Sequence, residues 1–411
     1  MYSLGFSEIT SYKTLFVSIG LVLYSLSFSE ITSYKSRFVR LTFMASNSKI
    51  ACCPKRNYNV ENVNAKGRTR NATKKETARK GRQIQETATV DSRHYPRPDY
   101  WGAVIFFTSI YNQLDSMSNQ NNTPFEDAKT VDVDTPEPPK WEGTEPVNIL
   151  LMGVDARGVK KGEIPRSDTM LVASIDPVSK KISVFSILRD TYVPIPKHGE
   201  QRINSAIIYG PNTAMQTASD LLGIPIQYYV YTDFQGFIKL VDAVGGVDYE
   251  VEKDMVYKTK ADGPLYDIDL KKGFQHLDGN MALQYVRFRH DATSDFTRTE
   301  RQRGFLKAVA DKLISTTSII KLPTILSEVT PFVDTNMLVD DMWKLGTVGY
   351  KSTMSGSVQI PPMNLLREKT LDDGSQVIGY SSTDKLHEFV QKTLAGPEPS
   401  PSPEATPEAT P

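Results

Sequence analysis

VNILLMGVDARGVKKGEIPRSDTMLVASIDPVSKKISVFSILRD, residues 147–190, contains three short apolar runs, at 147–152, 170–175 and 182–188. Each is too short for a typical globular helix and rich in Val, Ile and Leu, so each reads as a buried strand. Charge sits at the end of every run. Asp155 and Arg157 follow the first, Arg166 and Asp168 precede the second, and Arg189 and Asp190 follow the third.

Further strand runs lie at 228–232, 247–251, 283–288 and 358–360. Helical patterns alternate with them. One covers 204–222, interrupted near Gly210 and Pro211 and stopped by Gly223 and Pro225. Another covers 234–244, with Asp233 as N-cap and Gly245-Gly246 as its close. Three more cover 298–315, 322–329 and 337–349. This alternation predicts an α/β fold: a three-layer α/β/α sandwich around a central mixed, mostly parallel sheet. Ligands of such sheets sit beyond the carboxyl ends of the strands, where the charged motifs fall.

The segment 285–303, YVRFRHDATSDFTRTERQR, adds to this cluster. Alternation places Arg287 and Arg289 on one face of the predicted strand. Thr297 and Glu300 form a T-x-x-E capping box that opens a helix. Arg298 and Gln302 share a stripe with Phe305 and Val309, so they face inward. Alone, the segment reads equally as a solvated charged helix after an Arg-rich strand end. Three separate strand ends delivering guanidiniums instead make an anion site, suited to phosphate or pyrophosphate. Carboxylates beside such a cluster most simply hold Mg2+, with Mn2+ the alternative, and Asp155 and Asp168 are the candidate ligands. Their other reading is neutralisation of Arg157 and Arg166 in an ion-pair network. The five histidines are scattered, and no H-E-x-x-H, G-x-S-x-G or P-loop pattern is present.

The 411 residues carry no net charge, but the charge is divided unevenly. Residues 1–98 hold 17 Lys and Arg against 6 Asp and Glu, a net of +11 that 99–411 offset with −11. An acidic body argues against nucleic acid as a partner, and a basic arm suits the cytoplasmic side of a membrane crossing. The two cysteines, Cys52 and Cys53, are adjacent and supply no disulfide framework.

The domain reading follows. Residues 1–99 form a basic, largely disordered arm containing a near-duplication, LGFSEITSYK (4–13) and LSFSEITSYK (26–35), with Met44 an alternative start. An apolar run at 100–114 is the candidate membrane anchor, shorter than the ~20 residues a crossing helix needs. A linker spans 115–145, the ordered body 146–395, and a Pro/Glu/Thr-rich tail 396–411.

Six stretches resemble the LytR-CpsA-Psr family: 148–158, 166–177, 186–196, 202–210, 233–251 and 282–309. They cover most of 146–310 in the family's order. The resemblance implies a bacterial cytoplasmic-membrane protein, single-pass, with its catalytic domain on the extracellular face. Such proteins move an anionic glycopolymer, such as a teichoic acid or capsule polysaccharide, from a polyprenyl-pyrophosphate carrier to peptidoglycan. The link formed is a phosphodiester, with Mg2+ dependence and pyrophosphatase action as a side activity. Carried over, Arg189, Arg287, Arg289, Arg298 and Gln302 bind the diphosphate, and Arg157 and Arg166 complete the charged rim. Asp155 and Asp168 become metal or catalytic carboxylates, and Arg189 and Arg298 are counted with them as catalytic. Ile207, Ile208, Phe237, Leu240 and Val241 are expected either to line a lipid groove or to be ordinary core. A polyprenyl-pyrophosphate hydrolase and a non-catalytic module binding polyprenyl phosphate or wall polymer remain the alternatives.

Overall fold

The computed structural model describes residues 98–396, except for 120–123, 126–130, 132–135, 161, 259–262, 264–265 and 291–293. The predicted disordered arm, its duplicated segment and the tail therefore lie almost entirely outside the described residues. The chain opens with α1 (Pro98–Ser118). Strands β1 (Val147–Val154), β2 (Ser167–Asp176) and β3 (Lys181–Ile187) follow, then a hairpin of β4 (Tyr192–Ile195) and β5 (Gly199–Arg202). A 3-10 turn (Ile203–Tyr209) leads into α2 (Pro211–Leu222), β6 (Tyr228–Asp233) and α3 (Phe234–Ala243). Next come β7 (Val247–Val251), β8 (Met255–Tyr257), β9 (Ile268–Leu270), β10 (Gly273–Leu277), α4 (Gly279–Arg287) and α5 (Ser294–Leu313). The rest is α6 (Thr316–Ile320), α7 (Leu322–Val329), β11 (Val333–Thr335), α8 (Val339–Lys351), β12 (Thr353–Ile360), the hairpin β13 (Leu366–Thr370) and β14 (Gln376–Tyr380), and α9 (Thr383–Ala395).

Six strands form the central sheet in the order β11-β6-β1-β2-β3-β12. Along β1 the side chains alternate between faces. Leu150, Met152 and Val154 meet Phe185, Met215, Leu222, Leu386 and Val390 beneath α2 and α9. Val147 and Ile149 meet Trp141, Tyr228 and Leu345 on the side of α8. Both faces are covered, which is why the run is apolar throughout and the fold has three layers.

The sheet is mixed, as expected, but it is not mostly parallel. β1 pairs in parallel with β6, and β3 with β12. β1–β2, β2–β3 and β6–β11 are antiparallel. For β2 and β3 the cause is connection length. Between β2 and β3 a tight turn closes on Asp176, whose carboxylate accepts the Val178 N–H at 2.8 Å. Parallel neighbours need a crossover of about a dozen residues, which this turn cannot provide.

A second apolar cluster joins α3, α4 and α5 to the small strands β7–β10, around Val241, Val251, Leu277, Leu283 and Phe305. The predicted strand 247–251 belongs here, paired with β10 rather than with the central sheet. The predicted strand 283–288 is instead helical, in α4. Asp278 caps α4 by accepting the Met281 N–H at 2.8 Å. Ala282, Leu283, Tyr285 and Val286 are buried together as one helical stripe. Gly279 lets the start of α4 close onto α3: a Cβ there would lie 2.4 Å from the Ile238 carbonyl oxygen. The expected capping box at Thr297 is also displaced. α5 begins at Ser294, so Thr297 is already inside it.

The segment expected as an anchor lies in α1. Ile110 and Leu114 are buried, and the Phe107 ring meets that of Trp343 edge-on at 5.9 Å. No helix among the described residues is long and apolar enough to cross a membrane.

Candidate active site

Topology gathers the charged motifs at one edge of the sheet. β1, β3 and β6 all end there, and β2, running the other way, begins there, with Val154 opposite Ser167 and Ile187 opposite Met170. A cavity of about 380 Å³ opens at this edge, lined by Asp155, Pro165, Arg166, Asp168, Arg189, Asp190, Arg202 and Asn204.

Each carboxylate of the cavity meets a guanidinium. The Asp155 carboxylate accepts from Arg157 Nε at 2.7 Å and also from Arg157 Nη2, a two-pronged pairing of the kind only arginine offers. Burial acts to raise the pKa of Asp155. Hydrogen bonds and charge from Arg157, backed by the charge of Arg287, prevail and hold it below the usual carboxylate range. Asp168 accepts from Arg189 Nη1, while Arg289 Nη2 stands 3.8 Å from the same carboxylate oxygen. Asp190 bridges Arg189 and Arg202 at 3.4 and 3.3 Å. Arg166 is exposed at the rim.

Arginines from the later segment reach the site from a helix end, not a strand face. Arg287 is the last residue of α4. It packs between Phe234 and Tyr266, with its guanidinium 5.2 and 5.3 Å from the ring centres. Arg157 lies over the same Tyr266 ring at 4.2 Å. Two like charges are thus held close by aromatic faces, which attract cations. Arg298 is 2% exposed, and its Nη2 donates to the Asp168 backbone carbonyl at 3.3 Å. Gln302 faces inward as expected, but its amide donates to the Val286 carbonyl at 3.4 Å, in the last turn of α4. Helix ends leave such carbonyls without intrahelical partners, so Gln302 acts there as a cap.

Asp155, Arg157, Arg166, Asp168, Arg189, Arg287, Arg289 and Arg298 therefore converge on one edge, and Gln302 places its amide on the Val286 carbonyl beside Arg287. Arg202 and Asn204 line the cavity without having been singled out from the sequence. The hairpin β4–β5 carries them back to the strand ends, where Asn204 N–H donates to the Arg189 carbonyl at 3.2 Å. Their one sequence signal is position, in the motif RINSAIIYG directly after a strand pair. Of the groove candidates, Ile207 and Val241 are fully buried core, whereas Ile208, Phe237 and Leu240 are half-buried.

Asp155 and Asp168 are oxygen donors of the type Mg2+ takes. Among the described residues no group of three or more His, Cys, Asp or Glu converges on one point. A cation at either aspartate would share that carboxylate with Arg157 or Arg189 and would take most of its positions from phosphate oxygens and water.

The model of the LytR_cpsA_psr family matches residues 104–393. The polyisoprenyl-teichoic acid–peptidoglycan teichoic acid transferase TagU of Enterococcus faecalis is 37% identical over 211 residues, which is 51% of this chain and 67% of that protein. The crystal structure of B. subtilis TagV superposes with a TM-score of 0.52 at 29% identity, covering 62% of this chain and 99% of that one. A structure of TagT bound to LI-WTA gives a TM-score of 0.50 at 26% identity, covering 64% of this chain and 96% of that one.

Proposed function

The chain belongs to the LytR_cpsA_psr family, and from that premise we propose that it transfers an anionic wall glycopolymer from a polyprenyl-pyrophosphate carrier to peptidoglycan. The observation that carries this reading is the ring of arginines and aspartates around one cavity at the sheet edge. The relative named as a teichoic acid transferase and the TagT structure bound to LI-WTA support the substrate class.

The chemistry follows from the site. Phosphoryl transfer asks a protein for positioning and charge neutralisation more than for a covalent nucleophile. Arg157, Arg189, Arg287, Arg289 and Arg298 supply positive charge to the diphosphate, with Arg166 at the rim. The oxygen of an acceptor sugar hydroxyl attacks the phosphorus that bears the glycopolymer. A P–O bond forms, the bond to the bridging oxygen breaks, and the lipid phosphate leaves with the electron pair. The hydroxyl proton passes to a cavity carboxylate, Asp155 or Asp168. Mg2+, when held by those two aspartates, would offset charge on the phosphate oxygens. The product is a phosphodiester. The body is read as lying outside the cytoplasmic membrane, where both the carrier headgroup and peptidoglycan are accessible.

The test uses the full-length chain with a polyprenyl-pyrophosphate disaccharide, a soluble peptidoglycan fragment, and either Mg2+ or EDTA. Mass spectrometry should find a phosphodiester-linked product that is lost in Asp155→Ala and Arg289→Ala. Release of the sugar phosphate to water alone would make the protein a hydrolase. Tight lipid binding without turnover would make it a carrier-binding module.

A further inference from the structure

Two aromatic side chains from distant parts of the chain meet the same two arginines. Phe234 opens α3 directly after Asp233, which pairs with Val154 at the end of β1. Its ring thereby stands beside the loop that carries Asp155 and Arg157. Tyr266 comes from the connection between β8 and β9. There the Gln284 side chain of α4 accepts the Asp269 N–H of β9 at 2.9 Å, and α4 ends in Arg287. The Tyr266 carbonyl also accepts from Arg287 Nη1 at 3.4 Å. The Arg157 guanidinium lies 5.6 Å from the Phe234 ring centre and 4.2 Å from that of Tyr266. The corresponding distances for Arg287 are 5.2 and 5.3 Å. All four fall within the ~6 Å over which a ring face attracts a cation.

The two guanidiniums repel each other, and each ring attracts both. A ring face can hold a guanidinium without using its N–H donors, which lie in the guanidinium plane and serve oxygen acceptors. The charges of Arg157 and Arg287 both act on Asp155, which lines the cavity. A diphosphate spreads its charge over two phosphorus centres and suits two guanidiniums held side by side. A monophosphate is served by one two-pronged arginine. Under the transfer reading the donor is a lipid diphosphate and the lipid released is a monophosphate. A site that tells them apart takes up the one and lets the other leave.

We propose that Phe234 and Tyr266 set the preference of the site for a lipid diphosphate over a lipid monophosphate, by holding Arg157 and Arg287 together against their mutual repulsion. Both are positioning residues, and the inference rests on the diphosphate reading of the arginines above. Both rings also pack against the second apolar cluster, so the test has to separate ring character from apolar volume.

The experiment uses the full-length chain and measures, by calorimetry, binding of a short-chain polyprenyl pyrophosphate and of the matching monophosphate. The unaltered protein should bind the diphosphate more tightly. Tyr266→Leu keeps apolar volume but removes the ring, and should weaken diphosphate binding about 10-fold while changing monophosphate binding about 2-fold or less. Tyr266→Phe keeps the ring and should restore the preference. Made on an Arg287→Gln background, Tyr266→Leu should weaken diphosphate binding only about 3-fold or less, because one of its two arginines is already gone. The ratio of the two affinities on one preparation does not depend on how much of it is folded. Equal weakening for both lipids, or a Phe variant that behaves like the Leu variant, would overturn the inference. An unaltered protein that binds both lipids equally would overturn it too, with the transfer reading left standing. An unaltered protein that binds neither lipid would remove the diphosphate reading itself, and this inference with it.

Discussion

The cavity edge and the interior of the second cluster both depend on arginine, and they use it in opposite ways. At the cavity, Arg189 and Asp168 keep 24% and 29% of their side chains exposed, and their pair opens onto the space where a ligand would sit. One turn beyond Arg298, Arg301 is 3% exposed on its side chain and is consumed internally. Its Nε donates to Glu252 at 2.6 Å and its Nη1 to the Phe288 carbonyl at 3.1 Å, and its guanidinium lies over the Phe288 ring. Tyr285 completes the group by donating to Glu252 at 3.0 Å. Burial and the nearby tyrosine and carboxylate raise the Tyr285 pKa, so its hydroxyl stays protonated as a donor. The same residue type borders an open cavity where its pair is partly solvated and is a structural rivet where its partners are all protein. Charge content alone does not distinguish the two.

The contrast can be broken by substitution. Arg189→Ala should lower transfer by about 100- to 1,000-fold, the range seen when one preorganised electrostatic contact is removed. Its melting temperature should move little, because the pair is partly solvated. Turnover assays and thermal unfolding on the same preparation check this.

Arg301→Leu should do the reverse. It removes a buried charge, strands the Phe288 carbonyl and leaves Glu252 without its partner, at a cost of about 2–4 kcal/mol. Denaturant unfolding would read that loss, while turnover per folded molecule should stay near that of the parent. A large fall in turnover with unchanged stability would place Arg301 in the site.

Glu252→Gln sharpens the comparison through pH. Burial acts to raise the Glu252 pKa, but Arg301, a backbone N–H and the Tyr285 hydroxyl hold it low. A carboxylate lowered in the folded state stabilises above its unfolded pKa, about 4.3, and that stabilisation fades as pH falls through the folded value. The stability gap between parent and variant should therefore be flat near neutrality and close below about pH 4. A gap that persists in acid would show that packing, rather than charge, sets the effect.

The smallest effect is expected from Gln302→Ala. As a cap on the Val286 carbonyl it should cost about 1 kcal/mol and leave the donor KM unchanged. A raised donor KM would return Gln302 to the diphosphate site.

Much of this was legible beforehand where the signal was local and long. The runs that became β1, β2 and β3 are buried on both faces, and their apolar content carries that information without any knowledge of neighbours. Asp155, Arg166, Asp168 and Arg189 were legible for the same reason: charge abruptly following or preceding a buried strand must lie at its end. The run YVRFR was misleading because five alternating residues satisfy a strand and the end of a helix equally. The Asp278 cap and the Gly279 contact with α3 decided for the helix. Arg202 and Asn204 were not singled out because their place depends on the hairpin that folds them back.

The sequence by itself determined that a covered sheet would form and that its charged ends would gather arginine and aspartate, since both follow from periodicity and from the cost of burying charge. Only the tertiary structure decided which strands run parallel, because connection length and packing choose between neighbours of equal pattern. It also decided which polar side chains the protein pairs internally, as with Arg301, and which it sets around the cavity, as with Arg202. A hydrogen-bond inventory is closed by residues distant in the chain, and no local pattern encodes its remainder.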